Sequence, residues 1–189
     1  MELLKTAILN KGKVLPGNVL NVSGFLNCQI DVDLSRKMGE YIYEHFKDCA
    51  VNKILTIEAS GIGLACLTAQ FFHCPVLFAK KSKTSNIDGN FYCAECYSYT
   101  HRKTNNLIVP VEYLTSTDRV LVVDDFLAMG EAINACLSLI KQANATLVGA
   151  VSAIEKGFQG GGDKLREQGI NLLSLAIIDK MDENGIVFR

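Results

Sequence analysis

The chain has 189 residues, 49% apolar and 21% charged, with a net charge of −1. That is the size and balance of one globular domain with a sizeable core, not of a disordered chain. The near-neutral charge gives no electrostatic case for nucleic acid or a membrane surface as the main partner, and no run of about 18 apolar residues would span a bilayer.

The opening MELLKTAILNKG lacks the basic-then-apolar order of a secretory leader, so a cytoplasmic location is expected. Leu3, Leu4, Ala7 and Ile8 have helical spacing, and Gly12 is placed to end that helix. VLNVSGFLNCQIDVD reads as a mixed, partly extended stretch. Asp33 is the expected cap of a helix presenting Leu34, Met38, Tyr41, Ile42 and Phe46 on one face. A short buried strand, KILTIE, then runs into the glycine-rich turn ASGIG and a compact apolar helix, LACLTAQFF. CPVLFAK is the next strand.

From Lys80 to Phe91 the chain is polar, basic and turn-rich, the composition of a loop. YCAECYSYT and NNLIVPV read as two strands, and RVLVVDD as another, entered from Asp118. A helix is expected from about Gly130 to Ala143, with Ile133, Leu137 and Ile140 on one face. ATLVGAVSAIE is a buried strand, GFQGGGDKLREQG a glycine-rich loop with a short helix, and INLLSLAIID a strand. ENGIVFR reads as the return arm of a hairpin turning at Asn184-Gly185.

Apolar strands alternating with helices predict an α/β fold: a mostly parallel central sheet with helices on both faces. Ligands bind such sheets at the carboxyl ends of the strands, so the loops after Glu58, Ala79, Asp125 and Glu155 are the ones to search. The seven cysteines, an odd count, fit reduced thiols serving as small core residues. Cys93 and Cys96 form CAEC with no second ligand pair at zinc spacing, which favours core placement over a metal or redox role. The histidines His45, His73 and His101 share no context.

The stretch VLVVDDFLAMGEA (120–132) carries the most chemistry. An apolar strand runs into Asp124 and Asp125, and a short loop leads straight into a helix. The amides and dipole of a helix start form an anion site, and Gly130 lets a phosphate approach the backbone. Two carboxylates accept hydrogen bonds from a sugar diol. On these residues alone, a sugar-phosphate cradle, a magnesium site of the response-receiver kind and an ordinary acidic strand exit all remain open.

The same stretch resembles the diphosphoribosyl-binding motif of the type I phosphoribosyltransferases. Together with VLNVSGFLNCQID, TIEASGIG and AIEKGFQGG, it is similar to the bacterial xanthine branch of that family over essentially the whole chain. The resemblance implies a family fold spanning residues 1–189 as a single domain, with a hood built from about 1–32 and 155–189. It implies transfer of phosphoribose from 5-phosphoribosyl 1-diphosphate (PRPP) to xanthine, giving xanthosine 5′-phosphate and pyrophosphate. Magnesium (Mg2+) would accompany PRPP, with no metal held by protein side chains alone, and a homodimer is expected.

Each loop acquires a role by the resemblance. Asp124 and Asp125 would hold the ribose hydroxyls. Ala128, Met129, Gly130, Glu131 and Ala132 would hold the 5-phosphate, with Met129 and Ala132 standing where hydroxyl residues are usual and the Glu131 side chain turned from the dianion. Ser60 and Gly61, with Ile62, would cradle the diphosphate through amides, helped by Lys81 among Lys80, Lys81 and Lys83. Tyr97, Ser98 and Tyr99 would belong to a closing lid that excludes water. Leu20, Asn27 and Lys156 would bind the base, with Phe158 available to its ring face. Rival readings are another 6-oxopurine or adenine transferase, a non-catalytic PRPP-sensing regulator, and a magnesium-dependent receiver module.

Overall fold

The computed structural model describes residues 1–81, 89–98, 103–182 and 185–189, with backbone only at 98 and 103. The first helix, α1 (Glu2–Lys11), ends at Gly12 as its pattern predicts. A small hairpin follows, β1 (Lys13–Leu15) against β2 (Val19–Asn21). The mixed stretch then closes one π-helical turn, Ser23–Asn27. At its start the Asn21 side chain accepts from the Ser23 amide and hydroxyl at 2.9 and 2.7 Å, an Asx turn that competes with further strand.

Helix α2 (Val32–Phe46) is capped by Asp31, not Asp33. The Asp31 carboxylate accepts the Leu34 amide at 3.1 Å. Both acids sit at the helix entrance, and the one whose oxygen reaches the N3 amide is the cap. Met38, Ile42 and Phe46 form the buried stripe, while Tyr41 lies beyond its edge and is exposed.

The central sheet is built from β3 (Lys53–Ile57), β4 (Val76–Ala79), β7 (Arg119–Leu127), β8 (Thr146–Lys156), β9 (Leu172–Asp182) and β10 (Gly185–Phe188), with β5 and β6 described below. Its order is β10-β9-β8-β7-β3-β4. All neighbours are parallel except β9 and β10, the expected return arm. Asn184 of the expected turn lies outside the described residues. β7 runs two residues past its acids, because Phe126 and Leu127 still pair with Ile154 and Glu155 of β8.

Alternate residues along each strand feed two cores. Ile54, Leu121, Val123 and Val151 pack with α1, α2 and α3 (Gly61–Phe72) on one face. Leu55, Val120, Val122 and Ala150 pack with α4 (Glu131–Gln142) and α5 (Gly161–Glu167) on the other, where Ile133, Cys136, Leu139, Ile140 and Leu165 are buried. The mostly parallel sheet covered on both faces is therefore as expected. The two strands β5 (Phe91–Ser98) and β6 (Lys103–Pro110) form a separate antiparallel hairpin. A bridge between Lys80 and Ile108 ties it to the end of β4. Gln142, at the end of α4, exchanges two hydrogen bonds with the Cys93 backbone, at 3.2 and 2.8 Å.

All seven cysteines are free thiols, and of these only Cys136 is buried. The expectation of several core cysteines is corrected: Cys28, Cys66 and Cys93 are exposed because each falls on the outer side of its segment. Among the described residues, no helix is long and apolar enough to cross a membrane.

Candidate active site

β3 and β7 lie side by side and parallel, so their carboxyl ends open together. A cleft of about 610 Å³ lies there. Glu58 and Ser60 line it from the turn after β3, a turn that contains a cis Glu58–Ala59 peptide. Asp124 through Ile133 line it from β7, the following loop and the start of α4. Lys81 enters from beyond β4, and Cys96, Tyr97, Asn105 and Leu107 from the β5–β6 hairpin.

Asp124 and Asp125 are only 8% and 7% exposed. The Asp125 amide donates to Asp124 Oδ1 at 3.0 Å, and the Ser60 hydroxyl donates to Asp125 Oδ1 at 3.0 Å. Burial, and then the adjacent Asp125 charge, push the Asp124 carboxyl well above the usual carboxylate range. Asp124 thus keeps its proton at pH values where a solvated aspartate has lost it. Gly61 opens α3 close against these acids; a side chain there would meet Asp124 Oδ1 at 3.2 Å and Thr56 Oγ1 at 2.2 Å.

The loop 128–130 turns through Gly130, whose φ of +93° is a left-handed conformation that glycine adopts without cost. Gly130 is the residue before α4, and no side chain caps the helix there. The first intrahelical bond is Asn134 N–H to Gly130 C=O, at 2.9 Å. The amides before Asn134 have no carbonyl within the helix, so the positive end of α4 faces the cleft. The result is two buried carboxylates beside a row of amide donors, a match for a diol joined to a phosphate.

No family profile matches the chain. Relatives match it throughout. A xanthine phosphoribosyltransferase of Bifidobacterium adolescentis is 50% identical over 189 residues, covering 99% of this chain and 98% of the relative. One of Alkaliphilus metalliredigens is 47% identical, covering 100% and 94%. The chain belongs to the xanthine phosphoribosyltransferase family. Among solved structures, the adenine phosphoribosyltransferase of Trypanosoma brucei, in complex with AMP, pyrophosphate and ribose-5-phosphate, superposes with a TM-score of 0.78 at 17% identity. It covers 96% of this chain and 82% of that one. The Giardia lamblia enzyme, complexed with 9-deazaadenine, gives 0.75 at 22% identity over 92% and 96%. These two establish the fold as that of the type I phosphoribosyltransferases.

In this family member the cleft brings together Ser60, Lys81, Tyr97, Asp124, Asp125 and Ala128 through Ala132 of the expected site. Gly61 lies behind them. Glu131 also lines the cleft, and its charge helps raise the Cys96 thiol, after burial. Tyr99 and Lys83 lie outside the described residues, as does the Ser98 side chain.

The three expected base-site residues do not line the cleft. Leu20 is buried in the core between β2 and its neighbours, and Asn27 ends the π turn, half-buried. Lys156, at the end of β8, donates to the Asn18 carbonyl at 3.3 Å, and burial pushes its ammonium pKa down. Its Nζ lies 6.0 Å from the centroid of the Phe126 ring, and Phe126 lines the cleft. Phe126 therefore connects Lys156 to the edge of the cleft. Phe158 is 41% exposed on a 3-10 turn.

Sequence reasoning missed Glu58, Phe126, Cys96 and Asn105. Glu58 carries the same signal as Asp124, an acid at a parallel strand's carboxyl end, and it accepts the Lys81 amide at 2.6 Å. Phe126 reads as one more apolar strand residue. Cys96 and Asn105 reach the cleft only because the hairpin folds back over it, which no local pattern announces.

Proposed function

We propose that this protein transfers the 5-phosphoribosyl group from PRPP to N9 of xanthine, yielding xanthosine 5′-phosphate and pyrophosphate. The observation that carries the reading is the buried Asp124–Asp125 pair beside the uncapped start of α4, in a chain half identical to xanthine phosphoribosyltransferases. In the reaction the bond from the anomeric carbon to the diphosphate oxygen breaks. A bond from that carbon to N9 forms, and the N9 proton leaves.

Asp124 and Asp125 accept the two ribose hydroxyls, and the amides of 128–132 hold the 5-phosphate. Ser60, Gly61 and Lys81 face the diphosphate, and Tyr97 stands where a lid closes. No protein nucleophile is required; the work is positioning and electrostatics. Lys156 and Asn27 offer donors to purine oxo groups, Phe126 offers a ring face, and Leu20 packs behind them, under a hood from both chain ends. A site built to pair an oxo group rejects a base lacking it.

Among the described residues, no three His, Cys, Asp or Glu side chains group to hold a metal ion. A magnesium ion here would take most of its ligands from substrate oxygens, with the Asp125 and Glu58 carboxylates as hard oxygen donors beside it. Magnesium bound with PRPP would supply charge neutralisation at the departing pyrophosphate.

The decisive experiment follows pyrophosphate release from PRPP with magnesium and, in turn, xanthine, guanine, hypoxanthine and adenine. Xanthine is expected to give the highest kcat/KM. A folded protein that releases none with any base is no transferase, and a preference for adenine overturns the base-site reading.

A further inference from the structure

Helix α5 lies directly beneath the loop 128–130. A Cβ placed on Gly161 would fall 2.3 Å from the Ala128 carbonyl oxygen, 2.4 Å from the Met129 carbonyl carbon and 2.7 Å from the Gly130 nitrogen. No side chain fits in that contact. Leu165, one turn on, is 1% exposed, and its Cδ1 lies 3.7 Å from where a Gly130 Cβ would stand. The backbone of one element therefore rests on the backbone of the other.

The other side of α5 is fixed just as closely. A Cβ on Gly162 would fall 2.0 Å from Glu155 Oε1. The Glu155 side chain is fully buried and takes a two-pronged ion pair from Arg166, at 3.0 and 2.6 Å. The Ser174 hydroxyl also donates to Glu155, and Asp163 steadies Arg166 at 3.3 Å. Planar pairing of this kind fixes direction as well as distance. A continuous line of contact thus runs from β8, through the Glu155–Arg166 pair and Gly162, to Gly161 and the loop.

We propose that α5 is a strut that sets the height of the loop 128–132, and that Gly161 is a positioning residue for the 5-phosphate of the substrate. The proposal rests on reading that loop as the phosphate cradle. Displacing phosphate-binding amides by a fraction of an ångström lengthens several hydrogen bonds at once, whereas the base-side groups on β2 and the π turn keep their places. The strut acts on one substrate and spares the other.

The test uses the full chain with Gly161→Ala and, as a milder change that keeps the charge, Arg166→Lys. Both KM values are measured with magnesium by varying PRPP and xanthine in turn, and ribose 5-phosphate binding is measured by calorimetry. For Gly161→Ala, KM for PRPP and Kd for ribose 5-phosphate are expected to rise about tenfold or more, and KM for xanthine by less than about twofold. For Arg166→Lys the same split is expected at about threefold. Unchanged ribose 5-phosphate affinity, or equal rises in both KM values, overturns the strut. Should Gly161→Ala fail to fold, Arg166→Lys decides by the same criterion. The binding measurement also separates the two readings. A wild-type protein that binds ribose 5-phosphate but releases no pyrophosphate loses the proposed activity, while the strut still stands or falls on Kd.

Discussion

Ser60 donates its hydroxyl to Asp125 Oδ1 at 3.0 Å, across 65 positions of sequence. The bond joins the turn after β3 to the acids on β7, across the mouth of the cleft. Asp125 is 7% exposed, and a buried carboxylate that loses a donor is costly. Hydrogen bonds to charged groups contribute about 1.5–3 kcal/mol, a factor of roughly 10 to 150 in affinity. Ser60→Ala is therefore expected to raise KM for PRPP by at least about tenfold while leaving KM for xanthine within about twofold. Steady-state kinetics with each substrate varied separately checks this. An unchanged PRPP constant would mean that water replaces the hydroxyl.

Asp124 is expected to make PRPP binding a proton-linked event. Burial and the neighbouring Asp125 charge raise its carboxyl well above the usual range, whereas a carboxylate accepting from a sugar hydroxyl is favoured in its charged form. Substrate arrival is therefore expected to expel a proton from Asp124, with affinity rising with pH up to the raised pKa of the ligand-free protein. The phosphate titrates too, with a second pKa of about 6, so the release that counts is the part absent from an Asp124→Asn variant. Calorimetry of ribose 5-phosphate binding in two buffers of different ionisation enthalpy measures the release. Asp124→Asn is expected to abolish that part; release of the same size in that variant would place the titrating group elsewhere.

Much of this arrangement was legible in the sequence, for a physical reason. Strands of a parallel sheet are buried on both faces, so β3, β7, β8 and β9 stand out as apolar runs, and the acids that interrupt them fall at their ends. Asp124, Asp125 and the loop to Ala132 are contiguous, which is why one short stretch announced half the cleft. What could not be read was contact between distant segments. Gly161 looks like turn punctuation until α5 is seen against Ala128 and Met129. Cys96 and Asn105 depend on the fold-back of a hairpin. The choice of Asp31 over Asp33 as cap is a two-residue matter that pattern alone does not resolve.

Substitutions at Lys156 are expected to separate base recognition from stability. Its Nζ bonds a single carbonyl, that of Asn18, at 3.3 Å, and a bond of that kind contributes only about 0.5–1.5 kcal/mol. Lys156→Ala is expected to lower kcat/KM for xanthine by about a hundredfold, the cost of an unpaired oxo group. It should leave the urea midpoint nearly in place. Lys156→Met, which keeps the stem against Phe126, should fail on xanthine equally. A large stability loss with intact xanthine use would make the lysine a clasp between β8 and the β1–β2 turn.

The two ends of β7 respond to pH in opposite senses. At the far end from the cleft, Asp118 is buried beside Lys53, with side chains 11% and 13% exposed. Burial alone would raise its carboxyl. The Lys53 ammonium at 2.9 Å and the Thr115 amide at 2.7 Å outweigh that and hold it below its ordinary value. A lowered folded pKa means that the unfolded chain binds the proton more readily. Asp118 therefore contributes stability above the unfolded value of about 3.9, and loses it as pH falls through the lower folded value. Asp124 is the reverse. With its folded pKa raised, the ligand-free protein loses stability as pH climbs from about 3.9 toward that pKa. Asp118→Asn should cost about 1.5–3 kcal/mol near pH 7, with the gap to wild type closing as pH falls below about 3.9. Asp124→Asn should instead match or exceed wild-type stability near neutral pH while losing PRPP binding. Urea unfolding of both variants across pH measures the two trends. A constant gap for Asp118→Asn would leave its ion pair without weight, and a destabilised Asp124→Asn would make that carboxyl a structural acid rather than one held in readiness for the sugar.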